Sequence, residues 1–139
     1  MFVFVLSLSA LAKDIVVERP AFRTTSNSLC PVKVELRKKE TVVYFHIACA
    51  HRRDWSMDGA RLECCGQKIA FKTGRIITHD SGQVLADDVF ELGRRYTRNA
   101  QQDSLILTFE ALPKDVTAFD YIEGNAEDAW QIRGIRLDG

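Results

Sequence analysis

The sequence has no surplus of charge: 19 basic residues balance 19 acidic ones over 139 positions. Without a net positive field, no broad footprint for nucleic acid or an anionic membrane is expected. It also lacks an apolar run of the ~18 residues that a spanning helix needs. No stable membrane insertion is therefore expected once a leader is removed. The four cysteines, Cys30, Cys49, Cys64 and Cys65, show no C-x-x-C spacing. That removes the standard redox motif and the usual zinc-ribbon pattern. No nucleophile elbow surrounds any serine, so Ser/His/Asp catalysis is not expected. Repeats and low-complexity tracts are missing too, and no catalytic residue or cofactor site is assigned.

What is present describes an ordinary folded domain. Hydrophobic residues make up 46% of the chain and charged ones 27%, a composition for one globular core rather than for disorder. Phe2 to Ala12 is apolar and ends at Ala10-Leu11-Ala12. Small residues two apart before a charged stretch fit a signal-peptidase site ahead of Lys13, although no positively charged n-region precedes them. The expected organisation is a signal peptide over 1–12 and a single β-sandwich domain over 13–139. The expected location is periplasmic or secreted, where disulfides are permitted.

Period-2 alternation dominates the rest. Val32, Val34 and Leu36 alternate with Lys33, Glu35 and Arg37, as in a strand with one wet face. Thr41 to Cys49 is apolar on both faces and predicts a central strand. Leu62, Cys64, Ile69 and Phe71 alternate around Cys65-Gly66, which predicts a hairpin. Leu105, Leu107 and Phe109 share a face, and Leu112-Pro113-Lys114-Asp115 reads as a turn. Near the end, Trp130 and Ile132 lie on one parity and Ile135 and Leu137 on the other. A bulge at Gly134 would restore the facing. Asp87 to Gly93 is the one stretch that reads as a short helix. Seven to nine short strands separated by turns predict an all-β, antiparallel, Ig-like β-sandwich.

Phe109-Glu110-Ala111-Leu112-Pro113-Lys114-Asp115, then Phe119-Asp120-Tyr121-Ile122-Glu123-Gly124, then Ala129-Trp130-Gln131-Ile132-Arg133-Gly134-Ile135 together resemble a known module. It is the Ig-like β-sandwich domain of exported proteins from gut-dwelling Gram-negative bacteria, which commonly precedes a thioredoxin-like thiol–disulfide oxidoreductase domain. Weaker agreement runs through Arg19 to Phe22, Thr41 to His46 and Arg53 to Trp55. The resemblance implies an exported accessory or interaction module, with a thioredoxin-like domain or another exported protein as partner. Gly139 falls about where the thioredoxin-like domain would begin, and the 139 residues hold no C-x-x-C, so the family's oxidoreductase activity is not carried over. A truncated or split oxidoreductase is one alternative, and a glycan- or calcium-binding sandwich is another.

Several constellations invite chemistry and have plainer readings. Cys64-Cys65 is a vicinal pair whose side chains point to opposite faces of a strand, Cys64 inward and Cys65 outward. A strained vicinal bridge would be easily reduced, whereas packing or structural cysteines need no reactivity. Four cysteines permit three pairings, and all three stay open. His46, Cys49, His51 and Cys64 or Cys65 are the zinc-type ligands available, but His46 and Cys49 lie three apart on a strand and face opposite ways. Glu123-Gly124-Asn125-Ala126-Glu127-Asp128 offers hard oxygen ligands without the EF-hand order, and reads as a solvated turn. The basic clusters Gly93 to Arg98 and His51 to Arg53 read as solvated loops. Trp55 and Trp130 read as core anchors.

Export gives the first prediction. Protein recovered from a periplasmic extract should have an intact mass that begins at Lys13. Recovery of the whole chain from the cytoplasm would sink the expectation.

Overall fold

The structure, a computed structural model, describes residues 15–25, 29–47, 55–80, 82–96, 103–124 and 130–138. The leader assigned to 1–12 lies outside them. Ten strands are seen among these residues: β1 (Ile15–Glu18), β2 (Thr24–Thr25), β3 (Leu29–Leu36), β4 (Glu40–Ile47), β5 (Arg61–Cys64), β6 (Gln67–Asp80), β7 (Gln83–Phe90), β8 (Asp103–Glu110), β9 (Ala118–Ile122) and β10 (Gln131–Arg136). All pairings are antiparallel, in the order β1-β3-β4-β8-β6-β5-β9-β10-β2, with β7 added beside β6. The described residues are all-β, as the alternation predicts, and their sheet curls into a half-barrel compatible with a β-sandwich.

The curl originates in β6, which runs for 14 residues. Its first residues pair with β5 from Leu62↔Ile69 onward, and its later ones pair with β8 and β7. Against β8 the register passes from Phe71↔Phe109 to Thr73↔Thr108, so Lys72 is an extra residue. A bulge of this kind bends the strand and increases its twist. It also changes which parity faces inward: Ile69 is buried before it, and Gly74 and Ile76 after it. One strand thereby serves two layers.

Between the layers lies a continuous apolar core. Phe45, Leu105, Leu107 and Phe109 from one side and Leu62, Tyr121, Ile132 and Ile135 from the other are all fully buried. The Tyr121 ring sits 4.8 Å from that of Phe45 and 6.3 Å from that of Phe109. Its hydroxyl donates to Met57 Sδ at 3.4 Å, so a phenol enters the core without an orphaned donor. Burial pushes that phenol well above its ordinary ionisation range.

Two further bulges adjust the facing. In β10 the register moves from Ile132↔Tyr121 to Ile135↔Phe119, and Gly134 adopts φ 66°, as the phase break predicts. Asp120 holds this kink, accepting from the Gly134 N–H at 2.8 Å and from Arg133 Nη1 at 3.0 Å. In β3 the register passes from Pro31↔Phe45 to Lys33↔Tyr44. Val32 is the extra residue there and is 39% exposed. This corrects its expected inward facing: Leu29 and Pro31 face in before the bulge and Val34 after it.

The helix expected over Asp87 to Gly93 is not formed. Its first residues belong to the edge strand β7, and Gly93 lies in the turn that follows. Because β7 pairs only with β6 and is exposed over most of its length, neither face imposes alternation. Hydrogen bonding to β6 overrides the local preference of Asp and Ala for other states.

Where β6, β7 and β8 meet, Gly74 permits the closest approach. A Cβ at this position would stand 2.9 Å from both Leu107 Cδ2 and Phe90 Cδ2. Gly74→Ala should therefore overpack the core and cost about 1–3 kcal/mol, read as a lower denaturant midpoint. An unchanged midpoint would show that the neighbours move aside freely.

Candidate functional site

One end of the sandwich stays open. The β3–β4 turn and the loop after β8 meet there, beside Ile15 of β1 and Leu137 after β10, and enclose a recess of about 520 Å³. Ile15, Leu36, Ala111, Leu112, Pro113, Val116 and Leu137 supply aliphatic walls. Leu36, Leu112, Val116 and Leu137 also pack on the core, so the recess continues the core toward solvent.

Its frame is hydrogen-bonded. Thr41, 1% exposed, accepts from the Leu112 N–H at 3.1 Å and anchors the loop on β4. The Leu137 N–H donates to Thr117 O at 2.8 Å, and the Arg37 N–H donates to Glu40 O at 2.9 Å across the β3–β4 turn. Within the loop, Asp115 takes φ 64°, a conformation that Asp tolerates better than most residues, and this completes the turn that the Leu112-Pro113 signal predicts.

Charge gathers on the rim. Arg37, Lys38, Lys114 and Asp115 line it, and all four are exposed. Arg37 is already engaged, with Nη2 2.7 Å from Glu35 and Nη1 3.2 Å from Glu40. Burial alone would raise the Glu35 carboxyl, but hydrogen bonds from Arg37 and Tyr44 outweigh it and hold the group below its ordinary value. Lys38 and Lys114 make no ion pair among the described residues.

The cysteine hairpin is placed as expected. Cys65 and Gly66 have φ 53° and 77°, two successive positive values that mark a type I′ turn. Cys64 points into the core at 9% exposure while Cys65 is exposed. Both are free thiols, as is Cys30; Cys49 lies outside the described residues. Burial, then a hydrogen bond with Cys65, pushes the Cys64 thiol up to about 11.

The other sequence candidates disperse. His46 stands opposite Cys30 across β3 and β4, in the other sheet from Cys64, while Cys49 and His51 lie outside the described residues. Among those residues no three His, Cys, Asp or Glu side chains are placed to hold a metal. Of the acidic loop only Glu123 and Gly124 are described, and 125–128 lie outside. In the basic cluster Gly93 to Arg98, Arg94 pairs with Glu91 at 2.6 Å. The Tyr96 ring is occupied by Trp55 at 5.1 Å and Phe90 at 5.3 Å. The His51 to Arg53 cluster lies outside. Trp55 and Trp130 stack on each other at 5.9 Å, but both are half-buried against the core edge, which corrects their expected role as interior anchors.

No family model, curated protein or solved structure matches the chain, and nothing in the comparisons links it to thioredoxin-associated modules.

The hairpin supports a pH prediction. The Cys64 proton is kept in the folded chain to about pH 11 but is released from the unfolded chain near pH 9. Its contribution to stability is thus full below about pH 9 and falls as pH rises through that window. In thiol titration with Ellman's reagent at pH 8, Cys65→Ser should lose one fast-reacting equivalent and Cys64→Ser should lose none. Equal losses would place both thiols in the same environment.

Proposed function

We propose that this chain is an exported, non-catalytic β-sandwich domain that acts by holding a partner molecule at the open end of the sandwich. The observation that carries this reading is the recess of about 520 Å³, with aliphatic walls and a cationic rim. Its volume lies in the range of pockets that enclose a small ligand, and such pockets are mostly apolar with a few placed polar groups. The titratable groups on its lining are all at the exposed rim. There they remain in water's dielectric, which suits attraction and orientation more than general acid–base chemistry. Ala10-Leu11-Ala12 ahead of a charged stretch supports export, and the accessory role agrees with the family resemblance of the C-terminal strands.

Two measurements test the reading. A neutral polarity-sensitive dye such as Nile Red should bind saturably. Leu112→Asp, which sets a carboxylate on the wall, should weaken that binding at least about tenfold without changing the far-UV circular dichroism. Insulin reduction with dithiothreitol should stay at the uncatalysed rate. Turnover that vanishes in the Cys64→Ser, Cys65→Ser double variant would overturn the non-catalytic reading, and dye binding indifferent to Leu112→Asp would overturn the recess as its site.

A further inference from the structure

Resting on that reading of the recess, we infer that its ligand is a single-chain fatty acid, with the aliphatic tail between the two layers and the carboxylate at Lys38 and Lys114. Three features of the lining select this chemistry.

The first is the character of the walls. Ile15, Leu36, Leu112, Val116 and Leu137 are aliphatic, and no aromatic ring lines the space. The aromatic cluster around Trp55 is built from other segments. A flexible methylene chain gains contact from such walls, whereas a planar ring or a sugar finds no face on which to stack.

The second is the scarcity of buried polar side chains in the lining. Thr41 is the buried polar side chain of the lining, and its oxygen already accepts from the Leu112 N–H. A ligand rich in hydroxyls would lose its hydrogen bonds to water there and regain few. A hydrocarbon tail has none to lose. The volume of about 520 Å³ is that of a pocket for one small ligand, which favours one chain over the paired chains of a membrane lipid.

The third is the rim. Arg37 is engaged by Glu35 and Glu40, so Lys38 and Lys114 are the rim cations with no ion pair among the described residues. Against the single carboxylate of Asp115 they leave the mouth positive. An ammonium is a compact point charge on a flexible stem. Two of them at the mouth suit a carboxylate that sits in water while its tail is buried, and leave a neutral head without a counter-charge.

Displacement of Nile Red from the whole chain tests the assignment, with laurate and its methyl ester as competitors below their aggregation limits. Laurate should compete about fivefold to tenfold more tightly than the ester, as expected from two exposed charge contacts. That preference should shrink at high salt and disappear in a Lys38→Gln, Lys114→Gln variant. Equal competition by acid and ester on the wild-type chain would overturn the fatty-acid assignment while leaving the recess as a binding site. A preference that persists in the double variant would overturn the two lysines as the head-group site. Absence of dye binding itself would overturn the recess reading and this inference together.

Discussion

Strand β6 crosses from one layer to the other, and the two halves of the core meet where it bends. With Lys72 bulged out, the segment before it can pair with β5 while the segment after it pairs with β8 and β7. The two layers are thereby fixed in relative angle by a covalent chain and not by side-chain packing alone. Tyr121 then fills the space between Phe45 and Phe109, and Gly74 lets Leu107 and Phe90 close over the bend. A bulge is an economical way to turn a strand through a corner, because it leaves one residue unpaired and keeps the ladder on either side.

The β3–β4 turn and the loop after β8 frame the open end of the sandwich close to that bend, where Lys72 reaches Glu40 at 3.4 Å and Phe109 stands opposite Phe71. Leu112 tied to Thr41 keeps that loop from collapsing inward. The outer edges of the sheet are managed differently. β1 and β2 span four and two residues, too short to template another strand. The longer β7 carries Val84, Leu85 and Val89 in the open, but it has a register shift opposite Thr78 and His79 and two adjacent acids, Asp87 and Asp88. Bulges and charges are the usual protections of such an edge.

Much of this fold was legible from alternation, and the exceptions are physically specific. The Cys65-Gly66 hairpin and the Leu105, Leu107, Phe109 face emerge from period 2 because each has one buried side, while the central strand through Tyr44 emerges from a run that is apolar on both faces. The bulge at Gly134 was legible because glycine stands at the phase break. The bulge at Val32 was not: the extra residue is itself apolar, so Val32-Val34-Leu36 looks unbroken. Lys72 gives no local sign either, and only the burial of both Ile69 and Ile76 shows that a parity change lies between them. Strand β7 escaped because an edge with two wet faces leaves no pattern. The recess escaped for another reason. Its walls come from positions as far apart as Ile15, Leu36, Leu112 and Leu137, and no motif in one dimension joins them.

Trp55 and Trp130 are the only two indoles in the sequence, and the stack at 5.9 Å places both in one optical neighbourhood. Trp130 stands just before β10 and Leu137 just after it, so the length of a six-residue strand, about 20 Å, separates the stack from the recess. Intrinsic emission therefore comes from the end of the domain away from the pocket, and neighbouring rings at that distance exchange excitation energy instead of acting as independent lamps. Light collected from this protein is a report on one extremity, and a molecule could settle at the other without altering its colour.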